Sequence, residues 1–140
     1  MAAAYEMSHQ QQTSKRGGQI FLQHCTVDPG HPHFPEFICK HQFGQVYFPY
    51  LHEVVNHASN YLDIASMQDI TWHGERTYRQ FVDMLDTNRE KMEAFVGPKV
   101  WRALRISYAL PLAGLKFRRM KIYHTVLIRK VDRDKFRKKW

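Results

Sequence analysis

Cysteine is almost missing from this chain, with only Cys25 and Cys39 among 140 residues. Two thiols cannot build a disulfide framework, and they fit a reducing compartment. Long apolar runs are missing as well. No stretch of about 18 uncharged apolar residues exists, so a membrane-spanning helix is not expected. The nearest candidate, residues 106–115, is interrupted by Pro111 and Gly114. The first residues lack the basic region and apolar run of a secretory signal. No glycine-rich phosphate loop, metalloprotease helix or nucleophile elbow is present. These absences predict a protein that is not an enzyme and needs no cofactor.

Acidic residues are scarce where basic ones crowd. Residues 116–140 carry eleven cations (Lys116, Arg118, Arg119, Lys121, Arg129, Lys130, Arg133, Lys135, Arg137, Lys138 and Lys139) against Asp132 and Asp134 alone. The preceding 115 residues hold ten basic and eleven acidic side chains, so the whole excess charge lies at one end. A field this one-sided predicts contact with something anionic: RNA phosphates, a lipid headgroup layer or an acidic protein face. Phe117, Tyr123, Phe136 and Trp140 interleave with the cations, and aromatics of this kind stack on unpaired bases or sit at a lipid surface. No RNA-binding signature accompanies them, so an RNA contact would read backbone and shape.

Three regions follow from composition. Residues 1–44 read as an extended arm. Ser8–Gln19 is polar and buries little, while Pro29, Pro32 and Pro35 recur every third residue and forbid a helix. Phe34, Phe37 and Phe43 stud the arm as anchors for a neighbouring surface, with Tyr123, Phe136 and Trp140 as anchors near the other end. Within the arm, Ile20–Leu22 fits a short strand or an anchor. Residues 45–110 read as a helical core. Leu51, Val54, Val55, Ala58, Tyr61, Leu62 and Ala65 keep helical spacing. A polar break at Ser66–Gly74 precedes a second helix, whose core face is Tyr78, Phe81, Val82, Leu85, Met92, Phe95 and Val96. Gly97-Pro98 ends it, and a third helix runs until Pro111 closes it. Residues 111–140 form the basic segment, where Ile122–Ile128 fits a strand or a helix. A lone strand would leave an exposed edge, so helix is preferred. The fold class expected is mainly α: a bundle of three to four helices with an extended N-terminal arm and a basic C-terminal helix or tail.

His24, Cys25, His31, His33, Cys39 and His41 place six potential ligands within 18 residues. Zinc needs four nitrogen or sulfur donors in a tetrahedron, and this spacing matches no finger or ribbon. The intervening prolines stiffen the chain against closure on one ion. No metal is expected; if one were held, Cys25, His31, His33, Cys39 and His41 would be its ligands. The function expected is a non-enzymatic accessory subunit of a large assembly, gripping other protein subunits, and conceivably anionic lipid, through its ends. A mitochondrial membrane complex, respiratory or ATP-synthesising, is favoured, because the aromatic richness and the moderate basic total, 21 of 140 residues, suit a protein-contacting subunit more than an rRNA-coating one. The alternatives are a ribosomal-type protein bound to rRNA phosphates and a Cys/His metal protein.

Overall fold

The computed structural model describes residues 18–30, 37, 40 and 47–130. Phe34, His31, His33, Cys39, His41 and Phe43 lie outside the described residues, as do Arg133, Lys135, Phe136, Arg137, Lys138, Lys139 and Trp140. The architecture corrects the expected helical bundle: it is α/β, built on a three-stranded sheet ordered β1-β3-β2. The strands are β1 (Gln19–Val27), β2 (Leu62–Asp69) and β3 (Met120–Arg129). Both outer strands run antiparallel to β3, so they are parallel to each other.

The basic segment therefore begins as the central strand, not as a helix. Its β-branched stretch suits a pleated surface, and the central position buries it on both faces: Met120, Ile122, Tyr123, Thr125, Leu127 and Ile128 are all buried. The objection to a strand was its lack of a partner. The partners exist, but one lies about a hundred residues away along the chain, as the His24–Thr125 contact shows. The other was concealed inside an apparent helix. Leu62 and Ala65 extend the helical spacing of the preceding segment, yet α1 (Leu51–Tyr61) stops at Tyr61 and Leu62 turns extended at zero exposure. A bulge between Ile64 and Ser66 absorbs the residue that breaks strand alternation.

Two small cores flank the sheet. On one face α1 buries Ala58 with Leu62 and Leu127, and Ile20, Leu22, Tyr61 and Ile64 close around them. The start of α1 is tied by Glu53, whose carboxylate accepts from the Tyr50 N–H at 2.8 Å and the Tyr47 hydroxyl at 2.6 Å. On the other face Ile70, Leu115, Met120 and Ile122 form the second core, with Cys25 and Tyr78 against it.

That second core seats a helical layer of α2 (Thr71–Thr87), α3 (Arg89–Val96) and α4 (Pro98–Lys116). The Thr71 N–H donates to Asp69 Oδ1 at 2.8 Å, and its hydroxyl accepts from the Ile122 N–H at 3.1 Å. A Cβ at Gly74 would collide with Ile122 Cδ1, so glycine here allows the first turn of α2 to lie on β3. The single second helix expected from periodicity is broken at Asn88, whose side-chain amide donates to Met84 O at 2.9 Å. Asparagine competes with the helix for its own backbone in this way. Gly97 at φ 82° and Pro98 then end α3 and open α4, as that dipeptide predicts. The helix α4 does not close at Pro111 but carries it inside and continues to Lys116. Its end is a Schellman turn: Arg118 N–H donates to Leu115 O at 3.1 Å and Arg119 N–H to Gly114 O at 2.9 Å. Arg118 occupies the left-handed position, φ 58°, that usually falls to glycine. The turn delivers the chain into β3.

Candidate functional site

Two concave surfaces stand out among the described residues. The first lies at the carboxyl end of β1. A cleft of about 500 Å³ is lined there by Val27, Asp28, Pro29, the first turns of α1 through His52 and Asn56, and Lys121 and Tyr123 of β3. In open α/β sheets, ligands bind outside the carboxyl ends of parallel strands. The carboxylates at these ends already have partners. Asp28 faces Arg119 at 3.7 Å and Asp69 faces Arg118 at 3.7 Å. Burial raises the pKa of Asp69, but the hydrogen bonds from Thr71 and the charges of Arg118 and Lys121 outweigh it, so the net shift is downward. Burial pushes the Tyr123 phenol up, with Asp69 adding to the effect.

His24 stands behind this cleft on β1. Its Nε2 lies 3.0 Å from Thr125 Oγ1, its ring stacks on Tyr123 at 5.7 Å, and its Nδ1 is buried with no hydrogen-bond partner among the described residues. Burial lowers its pKa. The unfolded chain therefore binds a proton more readily than the folded one, and stability rises with pH across this window. The contribution of neutral His24 is complete above about pH 6.5, the ordinary histidine value, and is lost as pH falls towards the lowered folded value. The denaturation midpoint is thus expected to fall between pH 7.5 and pH 5.5, and His24→Gln should flatten that slope. The carboxylates held low, Glu53, Asp69 and Asp86, weaken the fold only as pH falls below their ordinary values of about 3.9–4.3, so the two windows separate.

The second surface is apolar. A groove of about 430 Å³ runs across α2, α3 and the facing side of α4, lined by Phe81, Met84, Leu85, Asn88, Lys91, Met92, Phe95 and Tyr108. Its floor is an aromatic cluster in which Phe81 lies 5.2 Å from Tyr108 and 6.1 Å from Tyr78, ring centre to ring centre. The face read from periodicity as core is only partly covered: Phe81 and Phe95 are exposed, while Tyr78, Val82, Leu85, Met92 and Val96 are half-buried. Only Thr71 of α2 and no residue of α3 is buried, and Phe95 exposes 87% and Met84 61% of their surfaces. A contiguous apolar patch of this kind marks a place where something binds. Its apolar residues were legible from spacing and were read as a packed helix face. Its openness was not legible.

The basic and anchor residues among those described do not gather into one site. Lys116, Arg118, Arg119 and Lys121 cluster at the α4–β3 turn, where two of the four meet carboxylates and Lys116 lies 5.9 Å from the Phe117 ring centre. Arg129 and Lys130 sit at the far end of β3, and Lys130 Nζ donates to Asn60 O at 3.2 Å. Tyr123 is buried and Phe37 half-buried. Cys25 is a free thiol against the second core, its pKa raised by burial. No group of three or more metal-ligating side chains is arranged to hold an ion among the described residues. None of the described helices is long and apolar enough to cross a membrane.

No family model matches the sequence, and no curated protein matches it. Solved structures do. The cyclopropane synthase MmaA2 from Mycobacterium tuberculosis is similar at a TM-score of 0.80 and 14% identity, over 89% of this chain and 48% of that one. The mycolic acid cyclopropane synthase CmaA1, complexed with SAH and CTAB, is similar at 0.80 and 16% over the same shares. A Haemonchus contortus N-methyltransferase, complexed with phosphomonomethylethanolamine and S-adenosylhomocysteine, gives 0.74 and 15%, over 90% of this chain and 30% of its own. At these identities the likeness shows the fold alone, one shared with cyclopropane synthases and an N-methyltransferase. This chain spans about half the length of the cyclopropane synthases it matches. The finding overturns the expected non-enzymatic accessory subunit of a respiratory or ATP-synthase complex: the neighbours named here are cyclopropane synthases and an N-methyltransferase.

Proposed function

We propose that this chain is the substrate-side portion of a methyltransferase-fold enzyme acting on an amphiphile, whose apolar part lies in the groove across α2, α3 and α4. The observation that carries the reading is that groove, an apolar channel over an aromatic floor, in a fold shared with cyclopropane synthases and an N-methyltransferase. One of those neighbours was solved with CTAB bound, which suits an apolar trough. The cationic run of residues 116–140 suits an anionic lipid surface on which such a substrate is presented.

The methyl donor itself does not fit the described residues. A nucleoside cofactor is held by a glycine-rich turn after a strand, with a free carboxylate for the ribose hydroxyls. Here β1 is followed by Asp28-Pro29-Gly30, and Asp28 and Asp69 are engaged by Arg119, and by Arg118 and Thr71. In this reading the donor is held by another part of the enzyme, and this portion binds and orients the acceptor.

The test is titration of the full chain with CTAB below its micelle concentration, followed by tryptophan fluorescence. Saturable binding is expected. Met84→Gln combined with Phe95→Ser, both at mostly exposed positions, should weaken it about tenfold, or ~1.4 kcal/mol. Equal affinity in the wild-type and doubly substituted chains would overturn the groove as the site.

A further inference from the structure

A third recess lies in the helical layer. It is a cavity of about 590 Å³ lined by Asp86 of α2, Arg89 of α3, and Trp101, Arg102, Arg105 and Ile106 of α4. Its wall meets that of the apolar groove: Trp101 lines this recess, Leu85 lines the groove, and the Trp101 Nε1–H donates to Leu85 O. The chemistry of the two differs. Three of the residues lining this recess are arginines, and one is a carboxylate.

The local carboxylates use only part of the donor set. A guanidinium carries five N–H donors and no acceptor. Arg105 donates from Nε to Asp86 Oδ1 at 2.6 Å and from Nη2 to Asp86 Oδ2 at 2.9 Å. Arg89 donates only from Nε, to Glu93 Oε1 at 2.9 Å. Arg102 meets no carboxylate among the described residues. Its own helix supplies none, since α4 carries Lys99, Arg102, Arg105 and Lys116 and no Asp or Glu. Arg105 Nη1, both terminal nitrogens of Arg89 and the whole Arg102 fork are therefore left to donate to something else.

Two of the three forks are held in place in advance. Paired bonds to Asp86 fix Arg105, while Glu93 and the Trp101 ring, 4.7 Å from its Cζ, fix Arg89. Arg102 stands three residues before Arg105, one turn away on the same side of α4. A planar fork that is already positioned loses less freedom for each bond it forms. Arginine is also the side chain that takes phosphate oxygens in pairs.

We propose that this recess is a phosphate site, in which Arg102 and the unused nitrogens of Arg89 and Arg105 bind a phosphate monoester group. Asp86 and Glu93 act as positioning residues that hold two of the guanidiniums. The proposal goes beyond the functional reading above and does not rest on it.

The test follows the Trp101 indole N–H of the nitrogen-15-labelled full chain by NMR, identified by its loss in Trp101→Phe. Inorganic phosphate is added at constant ionic strength, which keeps screening fixed. A saturable shift is expected. Arg102→Gln, at an exposed position, should weaken phosphate about tenfold, the loss of one charge-assisted contact. Arg102→Lys keeps the charge without the fork and should recover only part of that loss. Lys99→Gln removes the same charge from α4 outside the recess and should change the affinity less than about twofold. A second arm measures sedimentation with phosphatidylcholine vesicles that contain or lack phosphatidic acid. Retention that requires phosphatidic acid and is lost in Arg102→Gln identifies the group as a lipid headgroup. Saturation by inorganic phosphate without such retention identifies a soluble phosphate. The proposal is overturned by the absence of both a saturable shift and Arg102-dependent retention, or by equal losses in Arg102→Gln and Lys99→Gln. CTAB binding in the groove is a separate measurement, so either reading can fail alone.

Discussion

Trp101→Ala should cost the protein about 3–5 kcal/mol, the range for deleting a buried aromatic side chain. Trp101 exposes 5% of its surface. It lies on the first turns of α4, where its ring fills the space under α2 and its Nε1–H donates to Leu85 O at 3.1 Å. The Arg89 guanidinium lies 4.7 Å from the ring centre. One side chain thus joins all three helices of the layer. Little else does so from within, because α2 and α3 bury almost nothing of their own. The ion pair between Arg105 and Asp86, at 2.6 Å, is exposed, and pairs of that kind contribute roughly 0–1 kcal/mol. Urea unfolding followed by far-ultraviolet circular dichroism should show the lower midpoint. Trp101→Phe keeps most of the packing and loses the hydrogen bond, so a loss nearer 1 kcal/mol is expected. If the alanine variant unfolds at the wild-type midpoint, the layer is held by something other than Trp101. Because Leu85 also lines the apolar groove, the alanine variant should bind CTAB more weakly even where it remains folded.

Leu127→Ala is the second large effect, about 2–5 kcal/mol. Leu127, at 1% exposure, packs with Ala58 of α1 and Leu62 of β2, and Ile20 and Leu22 of β1 close the cluster. A cavity there touches every strand and the helix on that face. The surrounding groups belong to four elements bonded to one another, so the site cannot easily collapse to fill the void. Leu127→Met, which conserves volume, should cost less than about 1.5 kcal/mol. Near-equal losses in the two variants would mean that the residue acts through strand propensity and not through packing. The two substitutions lie on opposite faces of the sheet and share no contact, so their effects should add to within about 0.5 kcal/mol.

Much of the helical layer was legible from spacing alone. The apolar stripes of α2 and α4, the Gly97-Pro98 stop and the i,i+4 pair Glu75–Arg79, which closes at 3.0 Å, are local facts. A helix satisfies its backbone within itself, so its signal is contained in neighbouring residues. The break at Asn88 has a local cause, its side-chain amide on Met84 O, which apolar spacing does not register; the continuation through Pro111 was missed because it depends on what the chain packs against. The sheet was missed for a deeper reason. A strand has no internal hydrogen bonds, and each strand here finds its partner far along the chain. β3 looked like a helix without its neighbours, and β2 looked like the end of a helix and the start of a loop. The residues that seat α2 on β3, Thr71 and Gly74, were read as a polar break, because their meaning lies in the Ile122 that they meet. Misreading the sheet led directly to misreading the function: a helical bundle with sticky ends pointed to an accessory subunit, and an α/β sheet with an open groove does not.

The sequence by itself determined the local elements: where helices stop, which faces are apolar, where charge accumulates, and that thiols and long apolar spans are few. These follow from steric limits and hydration, which act over a few residues at a time. Tertiary structure alone decided that distant segments pair into one sheet and that the apolar face of α2 and α3 is only partly covered, leaving a groove. Those outcomes depend on which surfaces are left uncovered after long-range pairing, and no short window of sequence contains that information.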